Sequence, residues 1–187
     1  MAENNPKQSR EVEVHIYSLA TTANEAIVFL EEAEGIRLLP IWIGPVEGQA
    51  IAIKFSGIPL PRPFTHDLML SVMKTVGYTI EKVVIDNIKE STFYATMRIK
   101  GPGGEHAIDS RPSDAIALAV RAGCPIYVTE DVLNAAQTLA KPITEDEVKQ
   151  FKDQIKDIKP SDIFGTDKNK DKQPPENGPA GEGDEQK

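Results

Sequence analysis

With 187 residues, 40% of them hydrophobic, the chain has room for one domain with a real core and a tail left over. Lys and Arg number 21 against 29 Asp and Glu, a net charge of −8 at pH 7, so the surface as a whole repels polyanions. Nucleic-acid contact therefore requires a local basic patch or a bound divalent cation. Cys124 is the only cysteine, which excludes an internal disulfide and Cys-rich zinc sites. No apolar run approaches a membrane span and residues 1–10 carry no apolar signal segment, so the plain expectation is a soluble cytoplasmic protein.

Residues 1–10 are polar and predicted to be disordered, 11–160 to form the domain, and 166–187 to be a solvated polar tail. Val12, Val14 and Ile16 alternate with Glu11, Glu13, His15 and Tyr17, which predicts a half-buried strand over 11–18. Strands over 26–30 and 36–43 complete an antiparallel meander. Gly44-Pro45 opens a helix near 46–56, and the three prolines of 58–63 force an extended connector. A second helix over 65–76 is capped by Thr65 and stopped by Gly77, with Met69, Val72, Met73 and Val76 as its buried stripe.

Strands over 80–88, 93–99 and 105–109 form a second meander. The helix that follows, about 112–122, is apolar on every face from Ala115 to Val120 and so must be buried, with the other elements packed around it. A short strand over 125–128 precedes helices over 130–138 and 144–158, the latter with a capping box between Thr144 and Glu147. The fold class is α+β with mostly antiparallel strands.

Four polar constellations could carry chemistry. In Asp109-Ser-Arg-Pro-Ser-Asp114, Ser110 reads as a helix cap and Asp114 as a carboxylate matched to the helix dipole. Arg111 is the anomaly, because a cation at the positive end of a helix needs a carboxylate or a bound anion beside it. His66 extends the apolar stripe of its helix and sits next to Asp67, a pairing suited to proton transfer or metal ligation, although a packing histidine has the same pattern. Arg62 is held between prolines, where it can present a guanidinium to phosphate or simply face water. Glu47, near a helix start, is either a hard-metal ligand or an ordinary first-turn glutamate.

At these residues the sequence resembles the bifunctional nuclease family. The likeness rests on Leu39-Pro-Ile-Trp-Ile-Gly44, Pro61-Arg-Pro63 with Thr65-His-Asp-Leu68, and Asp109-Ser-Arg-Pro-Ser-Asp-Ala-Ile-Ala-Leu-Ala119. Phe93-Tyr-Ala95 and Cys124-Pro-Ile-Tyr-Val128 add to it, over about residues 11–140 in all. Gly48 stands where the family usually has alanine, and the Gly101–Gly104 loop is longer than the family's. The resemblance implies DNase and RNase activity and an α+β fold that self-associates as a homodimer or higher homo-oligomer.

Two readings follow. In the first, a nuclease, Asp109, Asp114 and Glu47 hold Mg²⁺ or Mn²⁺ through oxygen ligands. His66, Asp67 and Asp114 are then the catalytic residues, while Arg62, Arg111 and Ser113 hold the DNA or RNA substrate. In the second, the protein is a non-catalytic homo-oligomeric or regulatory module, and Arg111 pairs with Asp67 or Asp114 to staple two helix starts. Both require the segments around Arg62, His66 and Arg111 to converge where the innermost helix begins.

Overall fold

The computed structural model of the chain describes residues 9–22, 24–142 and 145–154. The first meander is β1 (Glu11–Thr21), β2 (Ala26–Glu32) and β3 (Arg37–Ile43), followed by α1 (Pro45–Phe55) and α2 (Thr65–Thr75). The second meander is β4 (Thr79–Lys89), β5 (Thr92–Gly101) and β6 (Gly104–Ser110). Then come α3 (Pro112–Ala122), β7 (Ile126–Thr129), α4 (Glu130–Ala135), β8 (Leu139–Ala140) and α5 (Glu145–Gln154). The terminal segments expected to be disordered, and Thr144 with its expected capping box, lie outside the described residues. No helix among the described residues is long and apolar enough to cross a membrane.

The two meanders form a single sheet in the order β6-β5-β4-β7-β1-β2-β3-β8. The join is β7, which runs antiparallel to β1 and parallel to β4. A parallel neighbour needs a crossover, and α3 supplies it by carrying the chain from the outer edge strand β6 back to the middle of the sheet. Alternation decides the faces. Val14, Val28, Leu30, Leu39, Ile41, Ala95 and Met97 point to the side where α3 lies, and all belong to one core with Ala115–Ala119. On the opposite side Phe151 of α5 packs edge-on against Phe29 at 5.3 Å, closing a small second core with Ile27 and Leu38.

The α3 helix is buried as its composition demands, with Ala115, Ile116 and Ala117 at 0% exposure. It packs against α1 and α2 on one side and against β4 and β5 on the other, while α1 also rests directly on β1 and β2. Of the last two helices, the first is shorter than expected, and residues 155–158 of the second lie outside the described residues. The one predicted over 130–138 ends at Ala135, and Leu139–Ala140 instead adds a two-residue edge strand to β3.

The α2 face also differs from the expectation. Its buried residue is Leu70, with Met73 partly covered, while Met69, Val72 and Val76 are 45%, 55% and 59% exposed. Apolar residues cover more than one face of this helix, so spacing alone did not select the inner one; contact with α3 turns the His66, Leu70 and Met73 side inward. Thr65 is the first helical residue and not the cap, which is Phe64. The free Phe64 N–H is satisfied three residues on by Asp67 Oδ2 at 2.9 Å. Gly77 does end the helix, at a φ of 82°.

Gly48 sets how closely α1 approaches the sheet. A Cβ at this position would lie 2.4 Å from the Ala26 Cβ on β2, and neither group has a torsion that relieves the overlap. Gly48→Ala is expected to lower stability by ~1–3 kcal/mol, an overpacking cost read by urea unfolding. A variant as stable as the parent would mean that α1 seats on the sheet less tightly than this contact indicates.

Candidate functional site

The starts of α1, α2 and α3 meet, and each delivers one side chain. Pro45 at the first position of α1 puts Glu47 in its first turn, and Pro112 does the same for Asp114 in α3. Arg111, the residue just before α3, closes the group. Its Nε donates to Asp114 Oδ2 at 2.8 Å, its Nη2 to Asp114 Oδ1 at 3.2 Å and its Nη1 to Glu47 Oε1 at 3.1 Å. The cation that the helix dipole disfavours is thus held by two carboxylates. His66, in the first turn of α2, brings Nε2 to 3.3 Å from Asp114 Oδ1 with its side chain 15% exposed. Ser110 is not the cap; it ends β6 and donates its hydroxyl to the Ala95 carbonyl.

Electrostatics fix the protonation of this group. Burial by itself would raise the Asp114 carboxyl, but hydrogen bonds from Arg111 and then His66 outweigh it and hold the group below the usual aspartate value. The guanidinium of Arg111 is pushed up, first by its hydrogen bond to Asp114 and then by that group's charge. An ionised Asp114 only accepts, so His66 Nε2 must be the donor, which in the neutral imidazole leaves the lone pair on Nδ1. No partner of Nδ1 is found among the described contacts.

The other expected site residues separate. Asp109 pairs with Thr96 across β5 and β6, while Ala95, next along β5, faces the α3 side; Asp109 therefore lies on the opposite face, away from Asp114. Ser113 is 6% exposed, too buried for a phosphate in solvent to reach. Arg62 is exposed in a cleft of about 410 Å³ between the end of α1 and the proline connector, with Asp67 and Arg121 also lining it. The proposed convergence therefore holds for His66 and Arg111 and fails for Arg62.

Asp67 does not pair with Arg111. Its Oδ1 accepts from Arg121 Nε at 3.1 Å, while Arg121 also donates Nη1 to Ala117 O and Nη2 to Ala50 O, each at 3.0 Å. The Arg121 side chain is 2% exposed, so a buried guanidinium joins α1, α2 and α3. Sequence reasoning missed it because a basic residue in the last turn of a helix is what the dipole favours. The overlooked signal is that Arg121 directly follows the all-apolar stretch from Ala115 to Val120, where a charge must find partners.

Carboxylate oxygens with an imidazole beside them are the right chemistry for a hard divalent cation. Among the described residues, however, no three His, Cys, Asp or Glu side chains stand close enough to hold one. The space between Glu47 and Asp114 belongs to the Arg111 guanidinium, which marks it as a position where positive charge is held.

The sequence profile of the bifunctional nuclease domain matches residues 28–141, which contain every residue of the site. An uncharacterized protein of Mycobacterium tuberculosis is 38% identical over 156 residues, covering 76% of this chain and 91% of that protein. Bifunctional nuclease 1 of Oryza sativa subsp. japonica is 27% identical over 112 residues, covering 58% of this chain. Bifunctional nuclease 2 of Arabidopsis thaliana is 26% identical over 111 residues. The matched stretch spans 34% of the rice protein and 33% of the Arabidopsis one.

Two outcomes follow from the ion pairs. Asp67→Ala strands the buried Arg121 charge and is expected to cost ~2–4 kcal/mol in urea unfolding, the low end reflecting the partial exposure of Asp67. A loss below about 0.5 kcal/mol, the size of a surface pair, would refute a structural role for that contact. The second outcome concerns pH. Because the folded-state value of Asp114 is depressed, the unfolded chain takes up its proton first. Its contribution is therefore complete above the ordinary value of 3.8 and is lost as pH falls through the lower folded value. The stability gap between the parent and Asp114→Asn should narrow below 3.8, and a gap independent of pH would contradict the ionised assignment.

Proposed function

The chain belongs to the bifunctional nuclease domain family, and on that premise we propose that it hydrolyses phosphodiester bonds of DNA or RNA at the His66–Asp114 pair. The observation that carries the reading is the bridging of His66 and Arg111 by one ionised carboxylate. Asp114 orients the imidazole so that Nδ1 can take a proton from water, and the water oxygen then attacks phosphorus. The P–O ester bond breaks, and the proton held by His66 passes to the departing oxygen. Arg111, with its side chain 66% exposed, can turn from Glu47 to the non-bridging phosphate oxygens, where charge builds up. A Mg²⁺ or Mn²⁺ ion would be held by Glu47 and Asp114 in exchange for that guanidinium, supplying phosphate polarisation and a more acidic water. Asp67 enters as a positioning residue for the turn that carries His66.

A second reading has its own support: every cation of the cluster is already satisfied by protein carboxylates, as in a purely structural network. In that reading the protein is a homo-oligomeric module, acting through the exposed apolar face of α2, where Leu68, Val72 and Val76 are 60%, 55% and 59% exposed.

Single-turnover cleavage of labelled single-stranded DNA and RNA separates the two. The nuclease reading expects His66→Ala to lose about 10²–10⁴-fold in rate with its melting temperature preserved. It also expects EDTA to slow the parent protein. Equal rates in the parent, His66→Ala and Asp114→Asn would identify a contaminant. No cleavage by the parent, with a sharply lower melting temperature in Asp114→Asn, would establish the structural network instead.

A further inference from the structure

The cleft around Arg62 is separate from the His66–Asp114 pair yet touches it through the chain itself. Its floor is the Arg121–Asp67 pair, and Asp67 is the residue next to His66 in the first turn of α2. One helical turn therefore faces two ways, with the imidazole toward Asp114 and the carboxylate toward the cleft floor. The walls are apolar, formed by Ile53 and the proline connector at 58–63. Lys54 and Arg62 stand on the rim, both exposed. Neither has a carboxylate partner among the described residues, although this protein carries 29 acidic side chains. With Asp67 and Arg121 neutralising each other, the cleft holds two unspent positive charges in a chain of net charge −8.

Rigidity adds to the case. Pro59, Pro61 and Pro63 fix the backbone φ on both sides of Arg62, so the connector that carries it has little main-chain freedom left to lose on binding. A cavity of about 410 Å³ is at the small-ligand end of binding-site sizes. That volume has room for a phosphate with its sugar and one base. Ile53 and the prolines offer an apolar surface to the face of an unpaired base, in place of the aromatic platform usual in single-strand grooves, and the two cations meet its phosphate as the positive lining of such grooves does.

We propose that this cleft binds one unpaired nucleotide of a single-stranded nucleic acid, Lys54 and Arg62 on its phosphate and the proline connector against its base. The inference rests on the nuclease reading for the class of substrate, and it makes the cleft the subsite flanking the bond that is cut.

Fluorescence anisotropy tests it with three probes: a labelled phosphorothioate single strand, the same strand in a duplex, and AMP as competitor. The parent protein should prefer the single strand to the duplex, and AMP should displace it. The double variant Lys54→Ala/Arg62→Ala should bind the single strand at least about tenfold more weakly, with an unchanged melting temperature. Its slope of log affinity against log salt should flatten by ~0.7 for each cation removed. Unchanged binding in the double variant, or equal affinity for duplex and single strand, would overturn the proposal. So would binding of AMP without binding of the strand, which would make the cleft a free-nucleotide site. Cleavage measured in parallel keeps the two ideas apart. If the double variant binds as the parent does while His66→Ala abolishes cleavage, the cleft falls and the nuclease stands. If binding needs Lys54 and Arg62 but no bond is cut, the cleft stands and the nuclease falls.

Discussion

A guanidinium sealed among helices must be fully bonded or the structure around it fails, and Arg121 is such a group. At 2% exposure it has given up nearly all its hydration, and it recovers the loss from one carboxylate and two main-chain carbonyls. Those three acceptors sit on different helices: Asp67 on α2, Ala117 on α3 itself and Ala50 on α1. Apolar packing tolerates small slides of one helix over another. A fork of hydrogen bonds near 3.0 Å does not, so Arg121 fixes the spacing at which α1 and α2 lie over α3. Asp67 serves twice, because its other oxygen closes the free N–H at the start of α2.

The candidate chemistry inherits its precision from that arrangement. Glu47, His66 and Asp114 come from three helices that share no neighbouring sequence, and they meet because the helices are held at a set distance. Asp114 is a hub, holding an arginine and a histidine with its two oxygens, and remains ionised because those hydrogen bonds exceed the penalty of its burial. Positive charge is placed unevenly on the surface. Arg111 is quenched by carboxylates, whereas Lys54 and Arg62 are left open around the neighbouring cleft. An acidic protein can meet a polyanion only at such a point.

Much of this was legible in the sequence. Strict alternation located β1 and β5, and the unbroken apolar run after Pro112 identified α3 as the buried helix. The helix-dipole argument correctly demanded a carboxylate beside Arg111, though it could not choose between Asp67 and Asp114. What stayed hidden was relational. Asp109 and Asp114 are close in sequence, but the pleat of β6 sends the first to the far face. The inner face of α2 depends on its rotation against α3, which apolar residues spread over more than one face leave undetermined. Nothing near Arg121 in the sequence announces partners from two other helices. Sheet order was equally out of reach, since the place of β7 between β4 and β1 is fixed by packing across the whole domain.

The outward-facing apolar side of α2 has a consequence of its own. This helix adds Leu70 and part of Met73 to the core and relies on polar bonds at one end for the rest of its hold. The sheet with α3 is far more deeply anchored, with many side chains at zero exposure. Such a domain has a weakest hinge, and it is the segment carrying His66. Warming or mild denaturant would loosen that segment while the rest stays intact, drawing His66 away from Asp114 well before the domain melts.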